Sequence, residues 1–307
     1  MQVADTILMV RPAAFCFNKE TAANNYFQND IALSQKQLQQ KALYEFDSMV
    51  KVLRKHEIEV LVVDDTTEPI KPDAIFPNNW FNTSNSGLIN IFPMFAISRR
   101  TEKRDDILDL LSKTYIVNDV LDWTKFEANN MFLEGTGSLV IDHKNAVLYA
   151  CLSPRTHKNV IEKFAHANKY RAIVFTAKDV KGKLVYHTNV MMCIGDGFAV
   201  VCLDAIENEI EKIAVRHLLE TTGHEIITIT LSQVNCFAGN MLQVKNKKDE
   251  RFIVMSEAAF NSLKTEQKNR LQHFGVLLSI DVSTIEKVEG GSVILNRYQD
   301  KHFIQEK

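Results

Sequence analysis

The sequence predicts an α/β fold built from five ββαβ modules that close into a ring with pseudo-fivefold symmetry. Three observations lead there. The first is self-similarity: stretches beginning at Ser138, Asn189 and Asn240 start 51 residues apart. Each runs as strand, polar or glycine turn, strand, amphipathic helix and β-branched strand. The second is an incomplete unit at the amino terminus, where ILMVRPAAF, a helical stretch over residues 34–55 and IEVLVVDD supply a second strand, a helix and a third strand but no first strand. The third is GSVIL, beginning at Gly291, which starts 51 residues after Asn240 and reads as a first strand with nothing to follow it. Pairing the two ends completes the fifth module.

In chain order, the amino-terminal unit comes first. A looser second unit follows from Trp80, with WFNTSNSGLINIF as its strand pair, a helix within EKRDDILDLLSKT and a strand in YIVND. Three regular units then begin at Ser138, Asn189 and Asn240. GDG at 195–197 sits between two strands and reads as a hairpin turn, because neither a P-loop lysine nor a dinucleotide fingerprint accompanies it. After Leu295 the apolar run gives way to the polar tail NRYQDKHFIQEK. A module alone would expose an apolar helix face and strand edges that only its neighbours cover. The expectation is therefore one domain over residues 1–307, with the carboxy-terminal strand closing the ring against the amino-terminal one.

Composition narrows the function classes. With 46% hydrophobic and 24% charged residues in 307, the chain suits a globular protein with a sizeable core. A formal net charge of -2 gives no global field for nucleic acid or an anionic membrane. The apolar stretch before Arg11 and Pro12 is too short for a signal sequence or a membrane span, so a cytoplasmic location is expected. The five cysteines are scattered singly with no CxxC spacing, which speaks against a disulfide framework or a structural zinc site. Cys151, Cys193 and Cys202 fall inside strand-like runs, where a thiol serves as a small apolar filler.

Four motifs carry the chemistry: KPDAIFPNNWF, FLEGTGSLV, LSPRTH and VYHTNVMMC. Their order, together with the modular ring, resembles the pentein, or guanidine-modifying, superfamily, whose fold is a five-bladed α/β propeller. Within it the chain is similar to arginine deiminases and dimethylarginine dimethylaminohydrolases, and above all to the branch of citrulline-utilisation hydrolases and amidinotransferase-like proteins. The likeness runs over residues 7–293. It implies attack by a cysteine thiolate on the central carbon of a guanidinium or ureido group, a covalent intermediate and release by water. A planar cation with several N–H donors calls for carboxylates at its rim, and an amine leaving group calls for a proton donor.

The resemblance assigns Glu134 to the guanidinium edge and to orienting a histidine, and His187, at the equivalent ledge one module later, to proton transfer. It makes Asp73 a substrate-binding aspartate. Asn78 and Asn79 stand where methylarginine hydrolases carry an acidic pair, and Asn189 stands where arginine deiminases carry an aspartate after the histidine. These amides accept hydrogen bonds without bringing charge, which leans toward a neutral ureido group or a less charged amidine. Arg155, and Arg99 or equally Arg100, end second strands of successive modules, so a ring puts them at one mouth, where a guanidinium suits an α-carboxylate. No cofactor and no metal is implied. The expected partner is a small guanidino or ureido amino acid; neither nucleic acid nor membrane is expected, and a homo-oligomer is compatible with the sequence.

One part is missing. Where the family continues from the Gly-Gly-Ser turn to its nucleophilic cysteine, this chain has Leu295, whose hydrocarbon side chain cannot attack a carbon. Ser292 lies three positions earlier, too far along a strand at about 3.3 Å per residue to substitute without a change of register. Cys236 enters the preceding module and is poorly placed. A hydrolase scaffold of altered chemistry, a ligand-binding pseudoenzyme and an amidinotransferase all stay open.

Overall fold

The computed structural model describes residues 2–22, 24–28, 32–84, 86–289 and 296–298. Its strands form five three-stranded sheets. The first is built on β1 (Thr6–Arg11) and β2 (Glu59–Asp64), which pair in parallel. Four sheets of one pattern follow: β3 (Phe81–Thr83), β4 (Leu88–Ile91) and β5 (Asp119–Asp122); β6 (Val140–Asp142), β7 (Val147–Cys151) and β8 (Arg171–Phe175); β9 (Met192–Ile194), β10 (Phe198–Val201) and β11 (Glu225–Thr228); β12 (Leu242–Lys245), β13 (Arg251–Ser256) and β14 (Val276–Ile280). In each, the first strand pairs antiparallel with the second through a tight turn, and the second pairs in parallel with the third.

The parallel step needs a crossover, and each is helical. Gln35–Lys55 joins β1 to β2, Asp105–Thr114 joins β4 to β5, Lys158–Ala167 joins β7 to β8, Glu209–Thr221 joins β10 to β11, and the pair Glu257–Ser262 and Thr265–Gln272 joins β13 to β14. The expected helix over 34–55 starts where its sequence says it should. Ser34 is the N-cap of a capping box, its hydroxyl accepting from Gln37 N while the Gln37 side chain accepts from Ser34 N.

The strand that completes the first sheet is β15 (Asn296–Tyr298), antiparallel to β1 with Ile7 opposite Arg297. The expected closing strand, GSVIL, together with Leu295, lies outside the described residues. The described pairing thus lies in the segment whose polarity predicts no strand. Main-chain hydrogen bonding to an open strand edge asks for an extended backbone and not for apolar side chains.

Packing explains why no module stands alone. Successive side chains of β1 point to opposite faces. Ile7 and Met9 join a core cluster with Phe46 and Leu53 of the first crossover helix and with Val244 and Val254 of β12 and β13. Leu8 and Val10 join another with Phe81, Ile89, Ile107 and Leu111 of the second module. A third cluster ties Phe92 and Phe126 to β6, β7 and the helix Lys158–Ala167. The largest runs from β7 through β9 and β10 to β13. The middle strands β1, β7, β10 and β13 are buried along most of their length, which is why they read as near-continuous apolar runs, whereas the third strands keep exposed positions. Among the described residues, no helix is long and apolar enough to cross a membrane.

Candidate active site

Antiparallel pairing puts the start of a first strand beside the end of its second, and parallel pairing puts the ends of second and third strands together. Every described residue that the sequence assigned to catalysis or substrate binding lies at that one edge. Asn78 and Asn79 occupy the helical turn Pro77–Asn79 before β3, Glu134 precedes the turn Gly135–Ser138 before β6, and His187 precedes the turn Thr188–Val190 before β9. Arg99 follows β4, Arg155 follows β7 and Asp73 follows β2. Asp73, Asn78, Asn79, Arg99, Arg155, His187 and Asn189 line a single pocket, with Glu134 fully buried behind it. Leu295 lies outside the described residues.

At the centre is a carboxylate–imidazole pair: Glu134 Oε2 stands 2.7 Å from His187 Nε2. The other Glu134 oxygen accepts from Phe95 N at 3.0 Å. Burial alone would raise this carboxyl, but Arg155, the His187 hydrogen bond and Arg99 hold it far below the usual carboxylate range. Burial pushes His187 down to about 4 against the pull of Glu134, with Arg155 and Arg99 adding to the depression. The ring is therefore neutral near pH 7. With Glu134 ionised, Nε2 carries the proton toward it and Nδ1 keeps the lone pair.

Two glycines make this approach possible. A Cβ on Gly137 would lie 2.7 Å from His187 Nδ1 and 2.5 Å from the Asn79 amide nitrogen. Gly135, at φ +44°, would drive a Cβ into the carbonyl oxygen of Asn78. The turn is stitched to its neighbours: Ser138 Oγ accepts from Glu134 N and donates to Arg155 O, and Thr188 Oγ1 donates to Ser138 O at 2.6 Å.

Both buried arginines are heavily engaged. Arg99 forks onto Glu102, with Nε to Oε1 at 2.8 Å and Nη2 to Oε2 at 3.0 Å, while its Nη1 donates to Asn79 Oδ1 at 2.9 Å and Asp73 lies 3.4 Å from Nε. Arg155 donates from Nε to Asn24 Oδ1 at 2.7 Å and from Nη2 to the carbonyl of Thr21 at 2.8 Å, approaches Glu134 at 3.5 Å and stacks over the Tyr186 ring. Arg100 points away, to Met94 O and Glu127. Burial, with Asp73 and Glu134 nearby, raises Glu102 to about 7 despite Arg99. Three carboxylates, Asp73, Glu102 and Glu134, thus pack against two guanidiniums and the imidazole. Asn78 Oδ1 is buried in the pocket wall with no hydrogen-bond partner. Among the described residues no group of three His, Cys, Asp or Glu is arranged to hold a metal ion.

Several site residues escape a sequence reading. Glu102 is one, an Arg-x-x-Glu pair on a short helical turn that looks like a solvated surface pair. The others come from residues 18–28: Asn18 donates to Asp73 Oδ2 at 2.7 Å, Thr21 and Asn24 hold Arg155, and Asn25 and Gln28 line the pocket. The available signal is length, since long connections without regular structure are usually functional. Asn240, one module after Asn189, also lines the pocket and donates to Asn189 O at 2.9 Å. Cys151 and Cys202 are buried as expected, their thiols raised by desolvation to about 12 and about 11.

Fold and site together define a protein of the guanidine-modifying superfamily, in the branch of the dimethylarginine hydrolases and arginine dihydrolases. The chain belongs to the family described as N,N dimethylarginine dimethylhydrolase, eukaryotic, which it matches over residues 11–294. No protein of curated function matches the sequence. Among solved structures, the apo form of ArgZ, an arginine dihydrolase from the ornithine–ammonia cycle in cyanobacteria, superposes with a TM-score of 0.74 at 14% identity, covering 96% of this chain and 40% of that one. The N-terminal domain of ArgZ, as a cysteine-to-serine mutant bound to substrate, superposes at 0.72 and 15% identity, covering 96% and 98%. A cysteine-to-serine mutant of the Pseudomonas aeruginosa dimethylarginine hydrolase complexed with citrulline gives 0.64 at 14% identity, covering 96% and 100%. At such identities the likeness is one of fold. The chain spans less than half the length of full-length ArgZ.

Proposed function

We propose that this chain is a single-domain, five-bladed α/β propeller that binds a small guanidino or ureido compound at the pocket of Glu134 and His187, in a hydrolase scaffold that lacks its covalent nucleophile. The observation that carries this reading is the buried Glu134–His187 hydrogen bond of 2.7 Å, set in one pocket with Asp73, Arg99 and Arg155. The propeller is supported by the five like sheets and by core clusters that link each module to the next and the last to the first.

The carboxylates suit a planar group with several N–H donors, and the unpartnered Asn78 oxygen offers a further acceptor. In the family's chemistry a thiol gives its proton to the histidine, its sulfur attacks the central carbon, and the same proton leaves with the departing amine. Water then releases the intermediate. His187, neutral with a free lone pair on Nδ1, is in the protonation state for the first of these transfers. Leu295, in the position the resemblance gives to the nucleophile, supplies no thiol.

The relatives point to the ligand class: one ArgZ structure holds a substrate, another a product, and the Pseudomonas aeruginosa enzyme holds citrulline. The test pairs calorimetry with an assay for ammonia and ureido product, on the native chain and on Leu295→Cys. Ligand binding by both, with product only from the variant, is expected. Product from the native chain would overturn the missing-nucleophile reading, and absence of binding in both would overturn the pocket.

A further inference from the structure

We propose that a second cavity, enclosed by the first strands of successive modules, is a passage for small uncharged molecules of the size of water and ammonia, and that Gln2 is the stopper that closes it at the face opposite the ligand pocket. The inference concerns the far end of the molecule and stands whether or not the pocket binds a guanidino head.

β6 lies beside β9 and β9 beside β12, and the second cavity runs along these strands. Asn78, Asn189 and Asn240, each just ahead of a first strand, line this cavity and the ligand pocket alike, so the two meet at a collar of amides. The collar is tied together: Asn78 Nδ2 donates to Thr136 Oγ1 at 3.3 Å and Asn240 Nδ2 to Asn189 O at 2.9 Å. Beyond it the wall turns apolar, with Leu139, Val140, Met192, Met241 and Leu242, and Cys193 among them.

The far end is where the strands finish. Ile141, His143 and Ile194 line the cavity there, and Gln2 grips all three. Its Nε2 donates to Ile141 O at 3.0 Å and to Ile194 O at 3.3 Å, and its Oε1 accepts from His143 N at 2.8 Å. Ala4 bridges to Val244 of β12 and accepts from Lys245 N at 2.9 Å. Residues 2–4 thus lie across the ends of three first strands, and Gln2 is 3% exposed. A primary amide meets that site's demand for two donors and one acceptor with one side chain.

The lining decides what can enter. Among the described residues around the cavity none carries a permanent charge, so an ion would lose its hydration without a partner. The buried Asn78 Oδ1, which has no hydrogen-bond partner, offers an acceptor to a small N–H or O–H donor.

The test labels the full chain with methyl methanethiosulfonate, small and uncharged, and with its anionic sulfonatoethyl analogue, reading each cysteine by peptide mass spectrometry. Gln2→Glu keeps the side chain's size but turns an unprotonated oxygen toward two carbonyls, so the stopper is expected to withdraw. Labelling of Cys193 by the uncharged reagent is then expected to quicken at least about tenfold over the native chain, a change of about 1.4 kcal/mol in the accessible population. Cys151 and Cys202, which line neither cavity, should keep their native rates, and the anionic reagent should gain little. An unchanged Cys193 rate in the folded variant would overturn the stopper. Equal quickening at all three cysteines would overturn it too, since general loosening would then be the cause, and equal gain with the anionic reagent would overturn the restriction to uncharged molecules. Should Gln2→Glu fail to fold, Gln2→Asn, whose amide is too short to span the strand ends, carries the same expectation.

Discussion

Two clusters of buried charge lie close together in this molecule and are built on opposite plans. In the first, Lys71 Nζ is wrapped by Thr66 O at 3.0 Å, Thr66 Oγ1 at 2.7 Å and Pro69 O at 2.9 Å, with Asp65 at 3.2 Å and Arg104 behind it. The loop folds around its own cation, and the Asp65 carboxylate is held by ion pairs, neither oxygen having a hydrogen-bond partner. In the second, Asp73, Arg99, Arg155 and His187 line a common hollow with Glu102 and Glu134 buried behind them, and proton affinities are driven apart: Glu134 down, Glu102 up, His187 down. The first cluster is centred on a cation wrapped by backbone carbonyls, which fixes a loop; the second is centred on a carboxylate–imidazole pair with proton affinities driven apart at a pocket wall, which suits a ligand.

The comparison breaks most sharply at Lys71. Lys71→Ala leaves the buried Asp65 with Arg104, at 3.6 Å and partly exposed, in place of a buried lysine, so a loss of about 3–5 kcal/mol in urea denaturation is expected. A loss under about 1 kcal/mol would mean the first cluster is not structural. On the pocket side, Gly137→Ala forces a Cβ against the His187 ring, with an expected cost of about 1–3 kcal/mol and weakened ligand binding. Unchanged binding in that variant would show that the histidine position is slack.

The smallest effect is in the pH dependence of stability. His187 titrates at about 4 in the fold against 6.5 ordinarily, so its contribution is lost as pH falls through that window. Glu102 titrates at about 7 against 4.5, so its contribution is full below 4.5 and is lost as pH rises toward 7. The two slopes oppose each other. The native chain should therefore show a shallow profile, His187→Gln should lose stability as pH rises from 4.5 to 7, and Glu102→Gln should gain it from 4 to 6.5. Parallel profiles for the two variants would contradict the opposed shifts.

What the sequence revealed divides along the same line as the clusters. Repetition exposed the modules, because strand alternation and amphipathic helices are local patterns, and it put Glu134 and His187 on equivalent ledges before any coordinate was known. Residues whose role depends on closure stayed hidden. Asn24 meets Arg155 across 131 residues, and nothing in an asparagine-rich loop announces that partner. Glu102 passed as a surface charge because an Arg-x-x-Glu pair looks alike whether it faces water or a core. A carboxy-terminal strand beside β1 was expected at GSVIL, and the described pairing with β1 lies at Asn296–Tyr298, in a stretch with no apolar signature.

The central claim is that the imidazole, the three carboxylates and the two guanidiniums surround one ligand head. A crystal structure of the chain soaked with a guanidino ligand tests it most directly. The account predicts the planar head beside His187, its N–H groups directed at Asp73 and the Asn78 carboxamide oxygen. A ligand bound elsewhere, with this hollow holding only solvent, would contradict it.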